Sequence, residues 1–215
     1  GEGVAVGADE VAGMMLSLQE RGCHNINLVT PTHVVPQILE ALIIAVNGGL
    51  RIPLVYNCGG YESVDTLKLL DGVVDIYMPD MKYSDNNIAQ RYSGVKRYAD
   101  RNRDSVKEMH RQVGDLRLDE DGIASRGLLV RHLVLPEGLA GTSGVVRFLA
   151  EEISRDTYLN VMAQYHPSHR VFDFPPLDRA VTAKEVSEAT QIAVRHGLQR
   201  LDGRIPSGAR VLFPW

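Results

Sequence analysis

Short apolar runs alternate with amphipathic helical stretches along almost the whole of this 215-residue chain, and that alternation leaves it few folds. The first helical stretch covers residues 8–21, with Val11, Met14, Met15 and Leu18 on one stripe and Gly22 as the stop. Strand-like runs follow at 25–30, 53–57, 73–78, 128–135 and 157–163. Between the first two, Pro36 suits a helix start, and Ile38, Leu39, Leu42, Ile43 and Val46 recur at helical spacing until Asn47-Gly48-Gly49. Ser63 is placed to cap a helix running to Leu70, and two further helical stretches span 85–92 and 98–113. The polar segment 115–126 reads as a loop with a turn at Asp121-Gly122. Thr142 or Ser143 caps a helix to Ile153, and Thr182-Ala183-Lys184-Glu185 is a capping box for the last helix, which stops at Gly197.

Strand–helix alternation with right-handed crossovers specifies an α/β fold with a parallel sheet, open or curled. Five strands are too few to close an eight-stranded barrel. The repeat begins on its helix, which predicts a first strand upstream of Gly1 and therefore an N-terminally truncated chain. An exposed sheet edge beside residues 25–30 would follow, and self-association through it. The domain is expected to span 1–201, with an irregular tail at 202–215.

Other classes are excluded by simple counts. With 23 Lys and Arg against 27 Asp and Glu, the net charge of -4 gives no basic field for nucleic acid. Apolar runs such as 41–46 and 133–135 are far too short to span a bilayer. The first fifteen residues carry no Lys, no Arg and no signal-peptide core, so a cytoplasmic location is expected. Two separated cysteines, Cys23 and Cys58, suit a reducing compartment and cannot form a zinc knuckle or a disulfide framework.

In such folds ligands bind outside the carboxyl ends of the strands. Those ends read Thr30-Pro31-Thr32-His33, Asn57-Cys58-Gly59-Gly60, Asp80-Met81-Lys82, Arg131 to Pro136, and Gln164-Tyr165-His166. Each has a plain structural explanation: His33 capping a helix, Asn57 satisfying turn amides, Arg131 pairing with Asp80. Gly59-Gly60 is too little for a phosphate loop. Polar groups at all five ends nevertheless mark the rim as a ligand site. A metal hydrolase using His33, Asp80 and His166 is a further option, without ligand spacing to support it.

The strings NINLVTPTHVVPQILEAL, PLVYNCGGYESVDTLKLLDGVVDIYMPDMKY, EMHRQVGDL, RGLLVRHLVLPEGLAGT and NVMAQYHP carry a resemblance running from Asp9 to Leu201. They resemble radical SAM proteins of the pyruvate formate-lyase activating enzyme-like group. The resemblance implies a partial TIM barrel of the (β/α)6 type, its first strand missing here. It implies S-adenosylmethionine, a 4Fe-4S cluster and reductive cleavage to a 5'-deoxyadenosyl radical. A protein substrate such as a glycyl-radical enzyme is the partner it implies.

The defining CxxxCxxC motif is absent, and neither Cys23 nor Cys58 can replace it, since the cluster needs three converging thiolates. This chain alone is therefore expected to be inactive, its cluster ligands lying outside it. The alternative is a noncatalytic barrel remnant that binds a ligand or partner. By resemblance, Thr30, Pro31 and Thr32 take the place of a Gly-Gly-Glu segment that holds the cofactor's amino group, but without its Glu. Asp80 and Lys82 match a D-x-K pair contacting methionyl or ribose groups. Asn57 and Arg131 lie at neighbouring strand ends, with an inward salt bridge as the other reading of Arg131. His166 matches a histidine near the adenosine, against an ordinary loop histidine. No catalytic residue and no metal ligand of this chain is assigned.

Overall fold

The structure is a computed structural model that describes residues 3–201; the expected tail at 202–215 lies outside the described residues. In chain order it comprises α1 (Ala8–Glu20), β1 (Ile26–Val29), α2 (Val35–Asn47), β2 (Leu54–Cys58), α3 (Val64–Leu69) and β3 (Ile76–Pro79). There follow α4 (Asn86–Ser93), α5 (Tyr98–Val113), β4 (Arg117–Leu118), β5 (Ala124–Leu133), α6 (Thr142–Phe148), β6 (Tyr158–Met162) and α7 (Ala183–Arg195). Strands β1, β2, β3, β5 and β6 pair in that order, all parallel, and β4 adds antiparallel to β5. The fold is mixed α/β with a mostly parallel sheet.

Side-chain alternation along the strands separates two layers. Tyr56, Cys58, Tyr77, Leu128, Val130 and Leu159 point to one face, where they pack with Val106 and Met109 of α5, Val145 and Val146 of α6, and Ala193 of α7. The opposite face carries Val55, Ile76, Met78, Leu129 and Tyr158, joined by Leu116, Leu118 and Ala124 around the β4–β5 hairpin. A third cluster joins Ala12 and Met15 of α1 to Leu42 and Ala45 of α2 over Ile26 and Leu54.

The hairpin is the main departure from the sequence reading, which had 115–126 as a loop and five strands in all. Asp119 Oδ1 accepts from the Asp121 and Ile123 amides at 3.0 and 2.8 Å, an Asx turn that folds the chain back on itself. The two-residue β4 has no room for periodicity, and β5 begins with polar residues at its solvent end, so neither gave an apolar signal. Two helix details also differ. The N-cap of α6 is Gly141, in the left-handed region at φ 68°, because the Thr142 hydroxyl is turned to a histidine; the last turn then widens to a π-helix at Leu149–Ile153. The expected stripes of α1 and α2 are rotated: Met14, Ile43 and Val46 are exposed, while Ala12, Ala41 and Ala45 are buried. The capping box on α7 forms as read, Thr182 Oγ1 accepting from the Glu185 amide at 3.2 Å and Glu185 accepting from the Thr182 amide at 2.8 Å.

Strand β1 lies at the edge of the described sheet, with Val29 68% exposed.

Candidate functional site

Strand parity decides what reaches the face away from the helices. On β2 it is Val55 and then Asn57; on β3, Ile76, Met78 and, just beyond, Asp80; on β5, Leu129 and Arg131; on β6, Tyr158 and Asn160. Register aligns them: Val29 opposes Asn57, Asp80 opposes Arg131, and Arg131 opposes Asn160. The lower half of this face is apolar and closed by the hairpin. Its upper half, at the strand ends, is a polar row. Asn57 is buried, yet its carboxamide is committed to no described residue.

At the centre sits a charge cluster. Asp80 Oδ1 lies 2.7 Å from Arg131 Nη2, and Asp80 Oδ2 lies 3.1 Å from Lys82 Nζ. The Asp80 and Arg131 side chains are nearly buried, whereas Lys82 is 44% exposed. Two cations against one carboxylate leave a net positive group. The Arg131 contact is not aligned along an N–H bond, so buried Asp80 Oδ1 and Arg131 Nε both lack a hydrogen bond. The net positive charge of the cluster, with Lys82 its exposed member, is a fit for a polar ligand carrying an anionic group.

Helix α5 holds the corner from below. Tyr98 Oη lies 3.1 Å from the Gly59 carbonyl and 3.2 Å from that of Asp80, and accepts from the Lys82 amide at 3.0 Å. Asn102 Nδ2 donates to the carbonyls of Gly60 and Asp80, each at 2.9 Å. Gly60 adopts φ 73°, and a Cβ there would run into Asn102 Nδ2 and the Asp80 carbonyl. This clip ties the ends of β2 and β3 together.

The β1 end joins through a residue the sequence reading missed. Thr30 is left-handed at φ 51° and donates its amide to the Asn57 carbonyl at 2.7 Å; Pro31–His33 then form a 3₁₀ turn. Thr32 Oγ1 donates to Glu62 Oε1 at 2.9 Å, and Tyr56 Oη donates to Glu62 Oε2 at 3.0 Å. Ser105 Oγ of α5 sits against the Glu62 backbone, accepting from its amide at 3.3 Å and sharing its one proton between the Arg101 carbonyl at 2.8 Å and the Glu62 carbonyl at 3.0 Å. Only the buried polar character of Glu62 signals it, because its partners are scattered along the chain.

On the helix side, His132 is fully buried. Its Nδ1 lies 2.7 Å from the Met81 carbonyl, which can only accept, so Nδ1 carries the proton and Nε2 accepts from Thr142 Oγ1 at 2.9 Å. Burial holds the His132 pKa below its ordinary value. The unfolded chain therefore binds a proton below about pH 6.5 that the folded chain refuses. The stability this provides is present above that pH and is lost as pH falls toward the depressed folded value, at up to about 1.4 kcal/mol per pH unit. Urea denaturation at pH 7.5 and 5.5 is expected to show this loss, and His132→Gln should reduce the difference by about 1 kcal/mol. An equal difference in both proteins would refute the assignment.

The structure thus brings Asn57, Asp80, Lys82 and Arg131 onto one face, with Thr30, Pro31 and Thr32 at its β1 end. His166 is exposed on the loop after β6 and makes no polar contact with a described residue. His33, Asp80 and His166 are not assembled: among the described residues, no three His, Cys, Asp or Glu side chains are grouped to hold a metal. Cys58 ends β2, whereas Cys23 precedes β1 and lies at the other end of the sheet. Burial, reinforced by the Glu62 carboxylate, pushes the Cys58 thiol well up. This donor set does not fit an iron–sulfur cluster.

Comparison with known proteins gives a consistent but coarse picture. No family model matches the chain. It is 30% identical over 177 residues to an uncharacterized protein of Methanocaldococcus jannaschii, an alignment covering 81% of this chain and 47% of that protein. The chain spans about half the length of that curated relative. Among solved structures it is similar to a domain of pyruvate-formate lyase-activating enzyme from Bacteroides vulgatus. The TM-score is 0.55 at 13% identity, over 81% of this chain and 94% of that one. The likeness is one of fold. No helix of the described residues is long and apolar enough to cross a membrane.

Proposed function

We propose that this domain binds S-adenosylmethionine across the ends of β1, β2, β3 and β5, as the partial-barrel portion of a radical SAM protein of the activating-enzyme type. The observation that carries the reading is the Asp80–Lys82–Arg131 cluster, net positive, at the strand ends of the helix-free face and with Lys82 its exposed member. Lys82 and Arg131 suit the cofactor's carboxylate, Asp80 and Asn57 its hydroxyls, and the Thr30-Pro31-Thr32 turn its ammonium. His166 would approach the adenosine from the last loop. Each of these roles is binding and orientation.

Reductive cleavage of the sulfonium needs a 4Fe-4S cluster, and the described thiols do not fit one, so no chemical step is assigned to this chain. The proposal places those ligands in a longer protein, acting in the cytoplasm on a protein substrate such as a glycyl-radical enzyme. Residues 1–201 form its binding unit, and the β1 edge is where a second copy would pair. The unfitting cysteines favour one other reading, a noncatalytic remnant that binds the ligand and does no chemistry.

Calorimetric titration of the 215-residue chain with S-adenosylmethionine tests the common core of both. Lys82→Met, which keeps the apolar stem and removes the charge, is expected to weaken binding about tenfold, as for a charge-assisted contact. A wild-type chain that takes up no ligand would defeat both readings.

A further inference from the structure

Strand β3 ends at Pro79, and its pairing with β5 ends one residue later, at the bridge between Asp80 and Arg131. From there to Lys82 each backbone polar group is met. The Asp80 amide donates to the Cys58 carbonyl at 2.9 Å, the Asp80 carbonyl accepts from Asn102, and the Met81 amide donates to the Arg131 carbonyl at 2.8 Å. The last two groups belong to one peptide unit, the one joining Met81 to Lys82. Its carbonyl is met by His132 Nδ1 at 2.7 Å and its amide by Tyr98 Oη at 3.0 Å. A trans peptide is planar, with its C=O and N–H pointing opposite ways, so partners at both ends fix the rotation of the plane. That plane sets the backbone of Lys82, and with it the direction in which the side chain leaves.

The His132 end of this clamp is built at the expense of a helix cap. His132 is fully buried in the helical layer, and Thr142 Oγ1 donates to its Nε2 at 2.9 Å. Thr142 opens α6, where a hydroxyl is ordinarily used to cap free amides. Here it orients an imidazole instead, and Gly141, the N-cap residue, has no side chain to offer. Departures from local rules of this kind mark positions held for function. What the ring holds is the last peptide before an ammonium that is 44% exposed and 3.1 Å from Asp80 Oδ2.

We infer that His132, oriented by Thr142 and acting through the Met81 carbonyl, is a positioning residue that aims Lys82 into the cleft. The inference rests on the proposed S-adenosylmethionine reading, in which Lys82 meets the carboxylate, and deepens it by naming what aims that cation. His132 itself touches no ligand. Alternation along β5 puts it with Val130 on the helical side and puts Arg131 with Leu129 on the side of the cleft.

Binding of S-adenosylmethionine to the full 215-residue chain is measured by calorimetry, with the melting temperature of each protein recorded alongside. The variants are His132→Leu, His132→Asn, Thr142→Val and Lys82→Met, with His132→Leu and Thr142→Val also combined with Lys82→Met. His132→Leu removes the donor and is expected to weaken binding about three- to tenfold, within the loss expected of Lys82→Met. His132→Asn, which carries an amide nitrogen where Nδ1 stands, recovers most of that loss. Thr142→Val frees the ring but keeps the shape of the side chain, so the test stays valid should His132→Leu fail to fold. On top of Lys82→Met, neither His132→Leu nor Thr142→Val weakens binding by more than about twofold, although each still lowers the melting temperature. A further loss of full size on top of Lys82→Met, equal losses in His132→Leu and His132→Asn, or unchanged affinity in both His132→Leu and Thr142→Val would overturn the role of His132. Each of those results would leave the S-adenosylmethionine reading intact. A wild-type chain that bound no S-adenosylmethionine would overturn that reading and this inference with it.

Discussion

Replacing Gly60 by alanine is expected to destabilise the protein by about 2–4 kcal/mol. The backbone at φ 73° costs an L-residue about 1–2 kcal/mol, and the new methyl meets Asn102 Nδ2 and the Asp80 carbonyl, which cannot both retreat without breaking the clip. For a domain of this size each kcal/mol lowers the melting temperature by roughly 2–4 °C, so a drop of about 5–15 °C is anticipated. Gly59→Ala is the internal control. Gly59 has an ordinary φ, and its added Cβ would find only Lys82 Nζ, at 3.9 Å. That variant should stay within about 0.5 kcal/mol of wild type. If the two alanine variants melted together, the clip from α5 would not be what holds this corner.

The second large effect concerns the buried ion pair. Asp80→Leu strands Arg131, whose side chain is 16% exposed, beside a second cation, and is expected to cost about 3 kcal/mol. Arg131→Met alone should cost less, because Asp80 keeps Lys82. The double variant, Asp80→Leu with Arg131→Met, replaces the pair by apolar groups and is expected to recover more than half of the loss of Asp80→Leu. Denaturant titration of the four proteins closes the cycle. Additive losses would mean that the two side chains do not sense each other, and the close approach would carry no weight. The same double variant should lose ligand affinity while keeping its fold, separating a role in the cleft from one in stability.

The secondary structure was legible where local chemistry is strong. The capping box at Thr182, the stop at Gly22 and the apolar runs of β2 and β3 each announce themselves within a few residues. The rim was legible because parallel strands are apolar along their bodies, so Asp80, Lys82 and Arg131 stand out at the ends. What was not legible is set by distant partners. Nothing near Glu62 reveals that Thr32, Tyr56 and Ser105 will gather round it, and nothing near Asn102 reveals that its amide will bridge two strand ends. Hairpin β4–β5 escaped for the opposite reason, being made of too few residues to show a period. The exposed side of α2 was misjudged because several apolar residues follow one another there, and spacing alone cannot say which are inward.

The alternation that sorts residues between the two faces also makes the cleft a vulnerable inheritance. Moving β3 by a single residue against β5 would send Asp80 into the helical layer and bring Tyr77 and Met81 to the opening. The cleft's identity therefore depends on a lock at the far end of the strands. Asp75 provides it, accepting from the Leu54 amide through Oδ2 at 2.9 Å, donating its own amide to the Leu54 carbonyl at 3.1 Å, and accepting from the Gly127 amide at 2.8 Å. One residue at the foot of the sheet thus aligns three strands. An error there would be read out as a change of chemical character at the other end, with hardly any change in the amount of buried surface. Selection on the rim and selection on Asp75 are, in this geometry, selection on the same trait.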